Sequence, residues 1–126
     1  MNPKNYFFSF VWGIIILTLC LLPGSNIPEN NFLDKIYFDK IVHAVLYWVL
    51  FLLFTSDLYK DKVNLPKIKA LLFCVLFGAL IEWLQEVITF GRHADISDIA
   101  ANSTGSLLGL FSYNFISARI FFIKKQ

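Results

Sequence analysis

Between Gly78 and Gly109 the chain reads GALIEWLQEVITFGRHADISDIAANSTGSLLG, two apolar segments around a short loop. Their facing ends carry Glu82, Gln85, Glu86, Arg92, His93, Asp95, Asp98 and Asn102, and an earlier apolar segment opens with Asp39, Lys40 and His43. A charge at the centre of a lipid-spanning helix costs about 2.5 to 3.5 kcal/mol on insertion scales, so such residues are rarely accidental. Collected in one place they could hold an anionic head group through Arg92, Lys40 and His43, with Asn102, Gln85 and Glu82 orienting it. They could instead do acid–base chemistry, with His43 or Glu82 as general base and Asp98 orienting it. A third role is structural, the groups bonding to one another to hold helices together.

The elements that position these residues follow from composition and periodicity. Of 126 residues 57% are hydrophobic, 17% aromatic and only 16% charged, with a mean hydropathy of +0.63. That balance predicts a single-domain, all-α protein embedded in the lipid bilayer. The net charge of +2 and the lack of a basic patch interleaved with aromatics exclude nucleic acid as a partner. Four helices are expected, over about 6–22, 39–58, 68–90 and 98–122, with loops over Pro23–Phe38, Asp57–Lys69 and Gly91–Ser97. Pro66 suits the first turn of the third helix. The first segment is too long for a signal peptide's apolar region and lacks a cleavage site after it. Cys20 and Cys74 fall on different helices at different depths and read as free packing residues.

Lysine and arginine mark the retained side of a membrane protein. One set of helix ends holds eight (Lys4, Lys60, Lys62, Lys67, Lys69, Arg119, Lys124, Lys125) and the other three (Lys35, Lys40, Arg92). Both termini are therefore expected in the cytoplasm. At about 1.5 Å of rise per residue, His43, Asn102 and Glu82 then lie at similar depth beneath the outer face.

Helical spacing sorts the polar residues onto stripes. Gly78, Glu82, Gln85 and Thr89 share one face, and Asp98, Asn102, Gly105, Gly109 and Ser112 share another; Asp39, His43 and Tyr47 align on the second helix. Gly78 and the Gly105-x-x-x-Gly109 pair invite close helix packing. Trp83 points elsewhere, toward lipid, and Glu86 either joins its stripe or reaches the head groups. Asp98 doubles as a helix cap or a residue close to one. Arg92 could pair with Asp95 or Asp98 as readily as with an external anion, and His93 is expected in solvent. His43, Glu82 and Asp98 are of metal-binding types, but no HExxH-like spacing accompanies them, so neither metal nor cofactor is expected.

In order and separation these residues resemble the VanZ-like family of small bacterial membrane proteins. The resemblance is carried by Asp39-Lys40-x-x-His43, Glu82-x-x-Gln85, Arg92 after a glycine, Asp95 and Asp98, and Asn102-x-x-Gly105-x-x-x-Gly109, and it covers most of the chain. It implies a multi-pass protein of the bacterial cytoplasmic membrane and a link to low-level resistance to the glycopeptide teicoplanin. A lipid-linked or glycopeptide-type ligand is the partner expected on the binding reading, and a membrane-protein or oligomeric partner on the structural one. Whether a bond is made or broken is left open by the resemblance.

Overall fold

In a computed structural model the described residues are 2–21, 32–88 and 95–123, with the side chains of 32–37 and 120–123 outside the description. A 3-10 turn over Pro3–Tyr6 leads into α1 (Phe7–Cys20), followed by α2 (Phe32–Lys60), α3 (Pro66–Ile88) and α4 (Ile96–Ile123). No strand occurs among the described residues. Three helices, α2, α3 and α1 with its preceding turn, are long and apolar enough to cross a membrane. Helix α4 is equally long, about 42 Å by its rise, but spends Asp98, Asn102, Ser103, Thr104 and Ser106 in its first half.

The burial pattern is that of a protein whose solvent is lipid. Phe8, Phe10, Phe38, Leu76, Phe111 and Phe115 are exposed, while His43, Glu82, Asn102 and Ser106 are buried. Trp83 faces outward as its stripe position predicts, and so does Glu86.

Helix α2 begins seven residues before the expected start, so the predicted loop over Pro23–Phe38 is corrected for its last seven residues. The prolines of that stretch, Pro23 and Pro28, precede Phe32, and no proline or glycine interrupts the chain from there to Lys60. At about 43 Å, α2 exceeds the hydrocarbon thickness of about 30 Å, which leaves its first turns free to project beyond it. Its other end is closed by a Schellman arrangement: Val63 N–H donates to Leu58 O at 3.0 Å and Lys62 N–H to Tyr59 O at 3.1 Å. Lys62 takes φ 54° there. Pro66 opens α3 as expected.

Helix α4 packs chiefly on α2 and secondarily on α3, and α1 closes the side of α2. The glycine stripe sets that contact. A Cβ on Gly105 would stand 2.0 Å from the Ala44 carbonyl oxygen, and one on Gly109 would stand 2.6 Å from the Phe51 ring. Gly78 faces Asn102, with 3.2 Å from its Cβ position to Nδ2. Two indoles tie neighbouring helices, Trp12 Nε1 donating to Leu46 O and Trp48 Nε1 to Ser112 Oγ, both at 2.9 Å.

Because backbone rather than a flexible side chain blocks Gly105, Gly105→Ala should force α4 off α2 and destabilise the fold by about 1 to 3 kcal/mol. Gly13→Ala, whose Cβ would meet only the Phe77 ring at 3.9 Å, should leave stability close to wild type. Thermal unfolding of both variants in detergent micelles checks the contrast.

Candidate functional site

The contact of α4 with α2 brings the polar stripes of three helices to one end of the bundle. His43 is buried one residue before Ala44, and its Nδ1 lies 3.0 Å from Asn102 Oδ1. Since a carbonyl oxygen only accepts, this contact makes Nδ1–H the donor and turns Nε2 the other way. That nitrogen points to Asp39 Oδ1, 3.9 Å distant and one turn earlier on α2. Asp98 completes the group: Asp39, His43 and Asp98 each offer a donor atom within 4.8 Å of the other two.

Lys40 clasps the start of α4 to α2. Its Nζ lies 3.0 Å from Asp98 Oδ1 and 3.3 Å from Asp95 Oδ2, and it also donates to Ser97 Oγ. Glu82 of α3 reaches the same point, its Oε2 accepting from the Asp95 backbone N–H at 3.5 Å. Asp95, and not Asp98, is the cap of α4: its Oδ1 accepts from Ser97 N–H at 2.8 Å and its backbone oxygen from Asp98 N–H at 2.9 Å. The helix starts at Ile96, two residues before the expected boundary, which places Asp98 inside the first turn and turns its carboxylate to Lys40.

Beneath this rim lie three of the five buried polar atoms that have no hydrogen-bond partner among the described residues: Glu82 Oε1, Asn102 Nδ2 and the Tyr47 hydroxyl, the others being the Tyr6 and Thr55 hydroxyls. The first three come from three different helices. Glu82 is 1% exposed and Asn102 1%, and Glu82 lies within electrostatic range of His43, Asp95 and Asp98. An unsatisfied buried polar group costs about 1 to 3 kcal/mol, so such atoms are ordinarily partnered in a native protein.

Of the residues expected here, Asp39, Lys40, His43, Glu82, Asp95, Asp98 and Asn102 come together, with Gly78, Gly105 and Gly109 packing the helices beside them. Gln85 shares the buried face of α3. Its Nε2 donates to Cys20 O at 2.7 Å, so it secures the end of α1. The stripe gave its azimuth, but a neighbouring helix end with open carbonyls claims an amide first. Arg92, His93 and Thr89 lie outside the described residues. Ser97 was not foreseen, nor was Asp57 at the opposite end, which is 2% exposed and bonded to Ser9 Oγ and to Lys60 Nζ. The i, i+3 spacing of Asp57 and Lys60 is the signal that could have revealed α2 continuing past Leu58. Cys20 and Cys74 are buried and are not joined in a disulfide.

The Ser97 hydroxyl and N–H, followed by Lys40, hold the Asp95 carboxyl below its ordinary value of 3.8. A carboxyl depressed on folding adds stability above its unfolded pKa, and that stability is lost as pH falls through the folded value. Asp95→Ala should therefore lower stability by about 1 kcal/mol at neutral pH, the usual worth of a cap. The gap from wild type should close as pH drops below the carboxylate range, measured as unfolding midpoints in micelles at pH 7 and in acid.

A model of the VanZ/LLP1 family matches residues 4–117 of the chain. No curated protein and no solved structure gives a match. The matched stretch begins before α1, ends at Ser117 in α4, and contains every residue of the clasp and of the buried group below it. With nearly the whole chain covered, from the first membrane-crossing helix through the polar stripe of the last, this is a membrane protein belonging to the VanZ/LLP1 family.

Proposed function

We propose that the chain is a multi-pass protein of the bacterial cytoplasmic membrane whose polar end is a binding site for an anionic, lipid-linked component of the cell envelope. The observation that carries this reading is the set of buried, unpartnered atoms on Glu82, Asn102 and Tyr47 beneath a half-open polar rim. Both donors and acceptors are left over there, as a head group rich in hydroxyl or amide groups requires. Lys40 is already paired with Asp95 and Asp98, but the Asp95 carboxylate is 53% exposed. Exposed pairs of that kind are worth only about 0 to 1 kcal/mol, so an anionic group can displace Asp95 from Lys40. Arg92, which falls between α3 and α4 in the sequence and lies outside the described residues, is the second cation that this reading calls on. The tail of such a ligand stays in the bilayer against the outward phenylalanines. Capture of lipid-linked wall precursors is how the link to teicoplanin implied by the family resemblance would arise.

This reading places both termini in the cytoplasm and the clasp outside, supported by the eight-to-three division of Lys and Arg between the two sets of ends. In intact cells a membrane-impermeant maleimide should label Ile96→Cys, a position that is 83% exposed, and should label Lys62→Cys only after permeabilisation. The opposite pattern would invert the topology. The native thiols are buried and should not compete.

Binding itself is tested by native mass spectrometry of the purified chain in nanodiscs doped with an isoprenyl-phosphate lipid or with phosphatidylglycerol. Retention of the isoprenyl phosphate should fall about tenfold or more, roughly 1.4 kcal/mol, in Arg92→Ala and His43→Gln. The opposite-end variant Asp57→Asn, once shown to be folded, should retain it. Wild-type retention in both site variants would overturn the proposal, and losses that merely track the fall in unfolding temperature would make the cluster a structural one.

One observation favours a second reading. His43 has one nitrogen fixed by Asn102 and the other turned to carboxylates, the arrangement of an imidazole that moves a proton. Turnover of a lipid that disappears in His43→Gln would replace the binding module with an intramembrane enzyme.

A further inference from the structure

We infer that Asp39, His43 and Asp98 form a binding site for a divalent cation of the zinc or manganese class. The sequence shows no spaced metal motif because the donors come from two helices, and only the packing of α4 on α2 joins them. Their donor atoms lie within 4.8 Å of one another. Around a tetrahedral cation with bonds of about 2.0 to 2.2 Å, donors stand about 3 to 3.5 Å apart. The 3.9 Å from His43 Nε2 to Asp39 Oδ1 closes to that value with a small movement of Asp39, whose carboxylate is 41% exposed.

Two further features point to a cation. The His43 side chain is 6% exposed and its Nδ1–H is held by Asn102 Oδ1, which turns Nε2 toward Asp39. A ring nitrogen facing a carboxylate needs a proton or a metal ion between them, and an outer hydrogen bond on the opposite ring nitrogen is how metal-bound histidines are oriented. Secondly, Glu82 Oε1 is buried without a partner within electrostatic range of His43 and Asp98. Among the described side chains at this end, Asp39, Glu82, Asp95 and Asp98 set four carboxylates against the single ammonium of Lys40. Lys40 donates to Oδ1 of Asp98, and that carboxylate has further lone pairs with which to hold a cation. One imidazole with two carboxylates suits zinc or manganese, and three protein donors leave a position for water or a ligand oxygen.

This inference stands on donor geometry and does not depend on the ligand proposed above. The chelator-stripped chain in nanodiscs is dialysed against Zn²⁺ and assayed for metal content, then titrated with Co²⁺ and followed by visible ligand-field absorption. The expected result is one equivalent per chain, with Asp39→Asn and His43→Gln each weakening uptake by at least about tenfold. Asp39→Asn changes a half-exposed residue and keeps the fold, which circular dichroism verifies. Asp57→Asn, at the other end of the bundle, should bind as wild type does. Absence of stoichiometric uptake by the wild-type chain, or unchanged uptake in both Asp39→Asn and His43→Gln, would overturn the site. Lipid retention in the same samples separates the two proposals, since retention without metal uptake removes the metal site alone.

Discussion

Helix α4 lies so close to α2 at Gly105 that the Ala44 carbonyl occupies the space any side chain would need. In a bilayer there is no hydrophobic drive to bring two apolar helices together, so their association depends on such close backbone approach and on the contacts it permits. Everything polar at this end of the bundle follows from that approach. His43 immediately precedes Ala44, and Asn102 lies one turn before Gly105, so seating the glycine on the alanine carries imidazole and amide into hydrogen-bond range. Asp98, another turn earlier, then reaches Lys40.

The cost of this arrangement argues against its being only a fastener. Interhelical hydrogen bonds in membranes average about 0.6 kcal/mol, whereas each buried polar atom left without a partner costs about 1 to 3 kcal/mol. The cluster forms a few such bonds and leaves three orphaned atoms. Stability alone would have favoured leucine or alanine at Glu82 and Tyr47. Toward the opposite end the Thr55 hydroxyl is likewise buried without a partner among the described residues, whereas the carboxylates there are paired. Asp57, buried to the same degree, is fully engaged by Ser9 and Lys60, and Asp61 nearby accepts from Asn5 and from the Asn2 backbone.

The loop ends between α3 and α4 are fixed from three directions. Asp95 caps α4, its N–H meets Glu82 of α3, and its carboxylate meets Lys40 of α2. One residue thus joins three helices where the chain reverses. Its carboxylate is the more exposed of the two that Lys40 holds, so that pair is the weaker of the two.

The helices, their polar stripes and their shared depth were legible in the sequence because they depend on two local quantities, the 3.6-residue period and the penalty for charge in lipid. Those are enough to put Gly78, Glu82 and Gln85 on one face, Asp98, Asn102, Gly105 and Gly109 on another, and Trp83 outside. The residues that carry the family resemblance are the same ones, for the same reason. Partnership was not legible, since a stripe fixes the direction of a side chain but not the helix that will lie against it. Gln85 turns to the end of α1, Asp95 displaces Asp98 as the cap, and Asp57 sinks into the bundle. The convergence of Asp39, His43 and Asp98 likewise has no counterpart in linear spacing. It exists only where one glycine lets two backbones touch.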